Sequence, residues 1–225
     1  MAATKGRGLL MVFTDVPEDV EEEFNRWYDE EHIPERLSIP GVLSAARYTA
    51  LEGGPKHLAC YELTEPEAWE SDAWQHYLIN PTEWSKRMSP SVVGDVYIRN
   101  LYRLIYPDPV SEETAQAGMA PLLLVGRMSV PLALESQFNH AYNTERLPLC
   151  SSVPGYIRGR RFEAVMGEPK YITVHEMQSA DVAESPEWKA WVTTVTPDWS
   201  NVVRPQMIHE AGSPGIYARN DSSKL

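Results

Sequence analysis

The chain has 225 residues, of which 43% are hydrophobic, enough for ordinary globular cores. Its 32 acidic residues against 20 basic ones leave a formal charge of −12, which argues against a nucleic-acid backbone or an anionic membrane surface as partner. No apolar run reaches the ~18 residues of a membrane span. The two cysteines, Cys60 and Cys150, suit a reducing compartment better than a disulfide framework.

MAATKGRG leads straight into a strand-like run, so no signal peptide is expected. Residues 8–16 form that first strand, closed by Pro17. Glu18 and Asp19 open a helix, where the positive end of the dipole favours acids. Val20, Phe24, Trp27, Tyr28 and Glu31 follow at helical spacing as one stripe, and Pro34 is expected to end the helix. Residues 42–51 and 57–63 read as a hairpin around Glu52-Gly53-Gly54-Pro55. Pro66 starts a second helix carrying Trp69, Trp74 and Tyr77, which Asn80-Pro81 interrupts before a short helical piece at 82–88. Residues 92–106 are strand-like again. The order β-α-β-β-α-β is the ferredoxin-like arrangement.

The same order then repeats. FNRWYDEEHIPERLSIPGVLSAARY (24–48) recurs without a gap as FNHAYNTERLPLCSSVPGYIRGRRF (138–162), at a constant spacing of 114 residues. This length describes two copies of a small domain rather than a solenoid, whose period is about 20–50 residues. The expected organisation is a first unit at 1–106, a Pro/Glu/Ala-rich linker at 107–120, a second unit at 121–219 and a tail at 220–225.

The segment EHIPERLSIPG, set after a strand and a helix and before a second strand, resembles the EthD-like group of the dimeric α/β-barrel superfamily. The resemblance covers both copies. It implies an α+β fold in which two tandem ferredoxin-like βαββαβ units form a single-chain, pseudo-dimeric α/β barrel with helices outside. It also implies that the chain closes its barrel as a monomer or at most a weak homodimer. Activities in that superfamily range over cofactor-free cyclases, dehydratases, decarboxylases, isomerases and oxygenases, with haem proteins among them, so function rests on the site.

Within the repeat, His32 of the first copy faces Arg146 of the second. An imidazole titrates near neutrality and can move a proton; at a helix end it can equally act as a cap. Glu31 could orient it. Tyr28 is either core or a phenol donating to a substrate oxygen. Trp27 is aromatic in the first copy only, Ala141 standing in the second, which marks it as a pocket wall. Along the hairpin, His57, Ala59 and Tyr61 share one strand face, and Leu58, Cys60 and Glu62 the other. Tyr61 corresponds to His175 and His57 to Tyr171, so a His/Tyr pair is exchanged between copies, to line a cavity or to bond across the interface. Glu62 and Glu176 are expected to meet Arg47 and Arg161, and Arg158, Arg160 and Arg161 to form a paired, solvated edge or to take a carboxylate.

These residues support a cofactor-free enzyme of lyase type. Decarboxylation, dehydration, cyclisation or C–C cleavage of a small aromatic or polyketide-like carbonyl compound would use His32, Tyr28 and Tyr61 as catalytic groups. Trp27, Arg47, Trp74, Glu31 and His175 would bind substrate. No metal-ligand spacing, Walker loop or G-x-G-x-x-G is present, and neither a metal nor another cofactor is expected. The alternatives are a non-catalytic binding or scaffold protein with a vestigial pocket, and a cofactor-free oxygenase. Ser223-Lys224-Leu225 matches a peroxisomal import address, meaningful in a eukaryote; otherwise a cytoplasmic location is expected.

Overall fold

The computed structural model describes residues 2–220, so the Ser-Lys-Leu terminus lies outside the described residues. Strand β1 (Gly8–Asp15) is a near-continuous apolar run because both of its faces are covered. Leu9, Met11 and Phe13 join one core and Leu10 and Val12 another. After β1 come helix α1 (Glu18–Trp27), a π-helical turn (Tyr28–His32), α2 (Ile33–Leu37), β2 (Val42–Glu52) and β3 (His57–Leu63). A 3-10 turn (Pro66–Glu70), α3 (Asp72–Ile79), α4 (Glu83–Met88), α5 (Pro90–Val93) and β4 (Val96–Tyr106) complete the first half. A single-turn helix α6 (Glu112–Ala115) precedes the second half, which begins with β5 (Leu122–Ser129), α7 (Glu135–Ala141) and a second π turn (Tyr142–Arg146). It continues through α8 (Leu147–Cys150), β6 (Tyr156–Met166), β7 (Tyr171–Met177), α9 (Asp181–Glu184), α10 (Pro186–Thr193), β8 (Ile208–His209) and β9 (Gly215–Arg219).

All strand pairings are antiparallel, in the order β7-β6-β4-β1-β3-β2-β9-β5, and a further β5–β7 pairing closes the ring. The result is an eight-stranded barrel with β8 appended to the end of β5, and closure removes the unpaired edges of an open sheet. Two seams join the halves: β4 pairs with β6 and β2 with β9. Inside lies one apolar core; a separate core sits between each half's outer strand faces and its helices.

The alternation along β3 separates these layers. Ala59 and Tyr61 pack under the helices, while Leu58 and Cys60 point into the barrel. Glu62 shares the inward face, and there it meets Lys5 and Arg160 rather than the expected Arg47. Lys5 Nζ stands 3.1 Å from Glu176 and 3.4 Å from Glu62, and Arg160 reaches Glu176 at 3.2 Å. Arg160 is thus no solvated edge residue; it links the two halves within the barrel. Arg161 is also buried, bonding Asn143 and Asn139, both at 2.8 Å.

Other expectations need correction. Pro34 does not end the first helix. It occupies the first turn of α2, where its missing N–H costs nothing, and the π turn before it takes up the change in register. Pro66–Ile79 is not one helix, because Ser71 adopts an extended backbone and caps α3 through Trp74 N–H. Pro90 makes residues 90–93 a helical turn, so β4 begins at Val96. The expected linker contains α6, and the backbone N–H groups of Thr4 and Lys5 both donate to Ala115 O.

Candidate functional site

A cavity of about 390 Å³ opens in the first half between the outer strand face and the helices. β1 and β3 supply Leu10, Val12 and Tyr61; the helical side supplies Trp27, Tyr28, His32 and Arg36; Trp69, Trp74 and Tyr77 stand opposite. Leu78, Val92 and Tyr97 form an exposed apolar rim. This size and aromatic lining suit a small planar organic ligand.

The π turn places the helical residues. It recurs at the equivalent positions of both halves, and such turns accumulate at functional sites because they re-aim side chains. His32 ends the first one. Its ring lies 4.4 Å from that of Trp27, and it meets Tyr28 edge-on at 5.2 Å and Tyr61 at 6.2 Å. His32 Nδ1 is buried with no hydrogen-bond partner. Burial first, then the positive charges of Arg36 and Arg47, push the imidazole well below its usual range, so it is neutral at pH 7.

Three further residues on the cavity wall carry polar atoms that are buried and without partners: Tyr61 Oη, Trp74 Nε1 and Arg36 Nη1. Burial, with the Tyr28 phenol next, raises Tyr61 well above an ordinary tyrosine; burial also raises Tyr28, against the opposing charge of Arg47. Both phenols therefore stay protonated and can donate. Arg36 was not singled out from sequence. It lies four residues after His32, hence on the same helical face, and EHIPERL contained that signal once the helix was known to continue past Pro34.

The remaining expected site residues are placed as follows. Trp27 and Trp74 line the cavity. Glu31 does not; its Oε1 accepts from Thr82 Oγ1 at 2.6 Å, Ser85 Oγ at 2.9 Å and Trp27 Nε1 at 3.1 Å, tying the π turn to the start of α4. Arg47 stands behind the wall. Its guanidinium lies 4.5 Å from the Tyr28 ring centre and donates to Asn25 Oδ1 at 2.6 Å, which supports Tyr28 without reaching the cavity.

His175 belongs to the second half. It lies 3.1 Å from Tyr156 Oη and packs edge-on against Trp188 and Trp191. The exchanged His/Tyr residues thus face the helices in each half, neither the barrel centre nor the seam. Arg146, opposite number of His32, spans the corresponding space. It sits 4.2 Å over Trp191 and donates to the carbonyls of Trp191 at 3.0 Å and Thr194 at 2.7 Å. Among the described residues, no group of three His, Cys, Asp or Glu could hold a metal ion.

No family model matches this sequence, and neither does any curated protein. Solved structures do share its fold. An anthrone oxidase-like protein is 12% identical with a TM-score of 0.62, covering 98% of this chain and 94% of its own. A candidate monooxygenase from Lactobacillus acidophilus NCFM is 10% identical with a TM-score of 0.58, over 96% and 94%. Chlorite dismutase from Candidatus Nitrospira defluvii, in complex with imidazole, is 10% identical with a TM-score of 0.60, over 98% and 93%. At such identities the likeness is one of fold: the neighbours are dimeric α/β-barrel proteins, and an EthD-like relationship in particular is not what they show.

Proposed function

We propose that this chain is an acid/base enzyme, working without a cofactor, that acts on a small aromatic carbonyl or phenolic compound in the first-half cavity. One observation carries the reading: His32 Nδ1, buried and unpartnered, lines one aromatic cavity with the Tyr61 phenol, their rings 6.2 Å apart. A neutral imidazole is the form that accepts a proton. Its depressed basicity recovers as negative charge develops on the substrate beside it. The proton leaves an acidic C–H or O–H for His32, the electron pair moves to the carbonyl oxygen, and a phenol of Tyr28 or Tyr61 donates to that oxygen. The enolate so formed can expel a β-leaving group. In a decarboxylation the same enolate forms instead as carbon dioxide departs and the C–C bond pair moves to the carbonyl oxygen under the phenol; both are lyase chemistry.

A second reading shares the first step. In it the enolate or phenolate reacts with dioxygen, a reading prompted by the names of the anthrone oxidase-like neighbour and the candidate monooxygenase, which share this fold over 96–98% of the chain. Hydroxylated aromatic ketones and anthrones, followed by absorbance with an oxygen electrode in the same cuvette, separate the two: the oxygenase consumes dioxygen in proportion to turnover and the lyase consumes none. For either, His32→Ala should lower turnover by about 10²–10⁴-fold with the fold intact, and Arg146→Ala should leave it nearly unchanged. Full activity in His32→Ala with loss in Arg146→Ala or His175→Ala would move the site to the second half, and no turnover of any such compound by the parent would favour a vestigial pocket.

We further read the barrel as two tandem ferredoxin-like units, 1–106 and 121–219, related by a pseudo-two-fold axis and closed without a second chain. The strand orders β4-β1-β3-β2 and β9-β5-β7-β6, equivalent strand for strand, support it. Sedimentation of the whole chain tests it, a monomer being the expected species.

A further inference from the structure

Six arginines are buried in this protein: Arg36, Arg47, Arg127, Arg146, Arg160 and Arg161. Five have hydrogen-bond partners. Arg47 and Arg161 bond asparagines, Arg127 and Arg146 bond backbone carbonyls, and Arg160 bonds Glu62 and Glu176. The side chain of Arg36, a residue only 7% exposed, makes no hydrogen bond or ion pair among the described residues, and its Nη1 is fully buried. Its charge rests instead on aromatic faces, 5.4 Å from the Trp74 ring centre and 5.2 Å from that of Tyr77. All three residues line the cavity.

The cavity's charge points the same way. Arg36, Lys86 and Arg99 line it and no Asp or Glu does, although the chain as a whole carries −12. Lys86 is already paired, at 2.5 Å from Glu83 on the surface. Arg99 is not; it sits by the mouth, 4.8 Å over Trp69. At the second-half position equivalent to Arg36 stands Cys150, an uncharged, fully buried side chain.

Resting on the reading of this cavity as a substrate site, we infer that its ligand is an anion, an aromatic carboxylate whose carboxyl group takes the free edge of the Arg36 guanidinium while its ring lies among the cavity's aromatic side chains. A guanidinium presents a planar fork that matches a carboxylate with two parallel bonds. A buried, unpaired cation weakens the fold, and an arriving anion relieves that cost. Burial already pulls the Arg36 guanidinium below its ordinary range, in keeping with a charge short of a partner. Arg99 then guides the anion in from the rim, against the general repulsion of an acidic protein.

Calorimetric titration of the full chain with 2-naphthoate and with its neutral isostere 2-acetylnaphthalene tests this. The acid should bind about 10- to 100-fold more tightly, the range expected for hydrogen bonds to a charged group. Arg36→Met should abolish the preference, retain ketone binding, and melt without ligand at the same or a higher temperature than the parent. Arg99→Gln should reduce the preference less. Equal binding of acid and ketone by the parent would overturn the inference and leave the cavity reading standing, and so would a preference that survives Arg36→Met. If neither probe binds, both fall.

Discussion

A histidine kept neutral by its surroundings leaves a signature in acid. Burial, and after it the charge of Arg47, pushes His57 down to about 4; burial and then Arg146 push His175 down to about 3. Unfolded imidazoles titrate near 6.5, so below that pH the unfolded chain binds protons that the folded chain refuses. Stability is therefore complete above pH 6.5 and falls as pH drops from 6.5 toward 4. Each of the two residues contributes up to about 1.4 kcal/mol per pH unit in that window. Urea midpoints between pH 4.5 and 7.5 should show this slope; because burial holds His32 low as well, His175→Phe should flatten it by about a third. A slope unchanged in the variant would mean that another group carries the acid sensitivity. The same scale shows what residue spacing discloses. Tyr28 and His32 are four apart on one helix, so their sharing a face was legible; alternation along β3 did not say which face of the strand the helices cover, so the side taken by Tyr61 was open. Arg36 was not, because a helix stopped at Pro34 leaves it in a turn.

At the scale of elements, the π turn decides how the site is held. Periodicity of 3.6 residues carries no trace of one wide turn, and neither π turn was visible in the apolar stripe. Its consequence is concrete in Glu31, which gathers three donors from α1 and the start of α4. Glu31→Gln should weaken these bonds and cost about 1–3 kcal/mol, the price of leaving partly buried donors poorly satisfied. Because Trp27 and Ser85 line the cavity, KM should rise with it. Glu145, the repeat counterpart, accepts no such bonds among the described residues, and Glu145→Gln should leave the denaturation midpoint within about 0.5 kcal/mol of the parent. Equal effects of the two substitutions would deny the clamp its role.

For the whole molecule, repeat spacing and element order pointed to two copies of one strand-helix order, and the closed sheet with helices outside was what the EthD-like resemblance implied. They did not disclose how the halves are locked together. Glu62 and Glu176 looked like strand-end residues, yet the pleat turns both inward, where they meet Lys5 and Arg160 out of water. Burial pushes the Glu62 carboxyl up, but Arg160 and Lys5 outweigh it and hold it below the usual range. Removing one member leaves an unmatched charge inside the barrel. Arg160→Met should therefore cost about 3–5 kcal/mol, and pairing it with Glu62→Gln should recover part of that loss. Guanidinium denaturation of the two variants checks the order; a double variant no more stable than Arg160→Met alone would refute it.

The seams between β4 and β6 and between β2 and β9 put both halves under one reading frame. In a symmetric pair of identical chains every substitution is made twice, so a change that opens a cavity on one side opens it on the other. Here a codon alters one side only. Where the first half has His32 the second has Arg146, whose guanidinium over Trp191 occupies its helix layer, while the first half keeps a cavity at its own. One half is then free to accumulate whatever packing best supports the barrel, while the other keeps a cavity whose wall carries the unpartnered atoms of His32, Trp74 and Arg36.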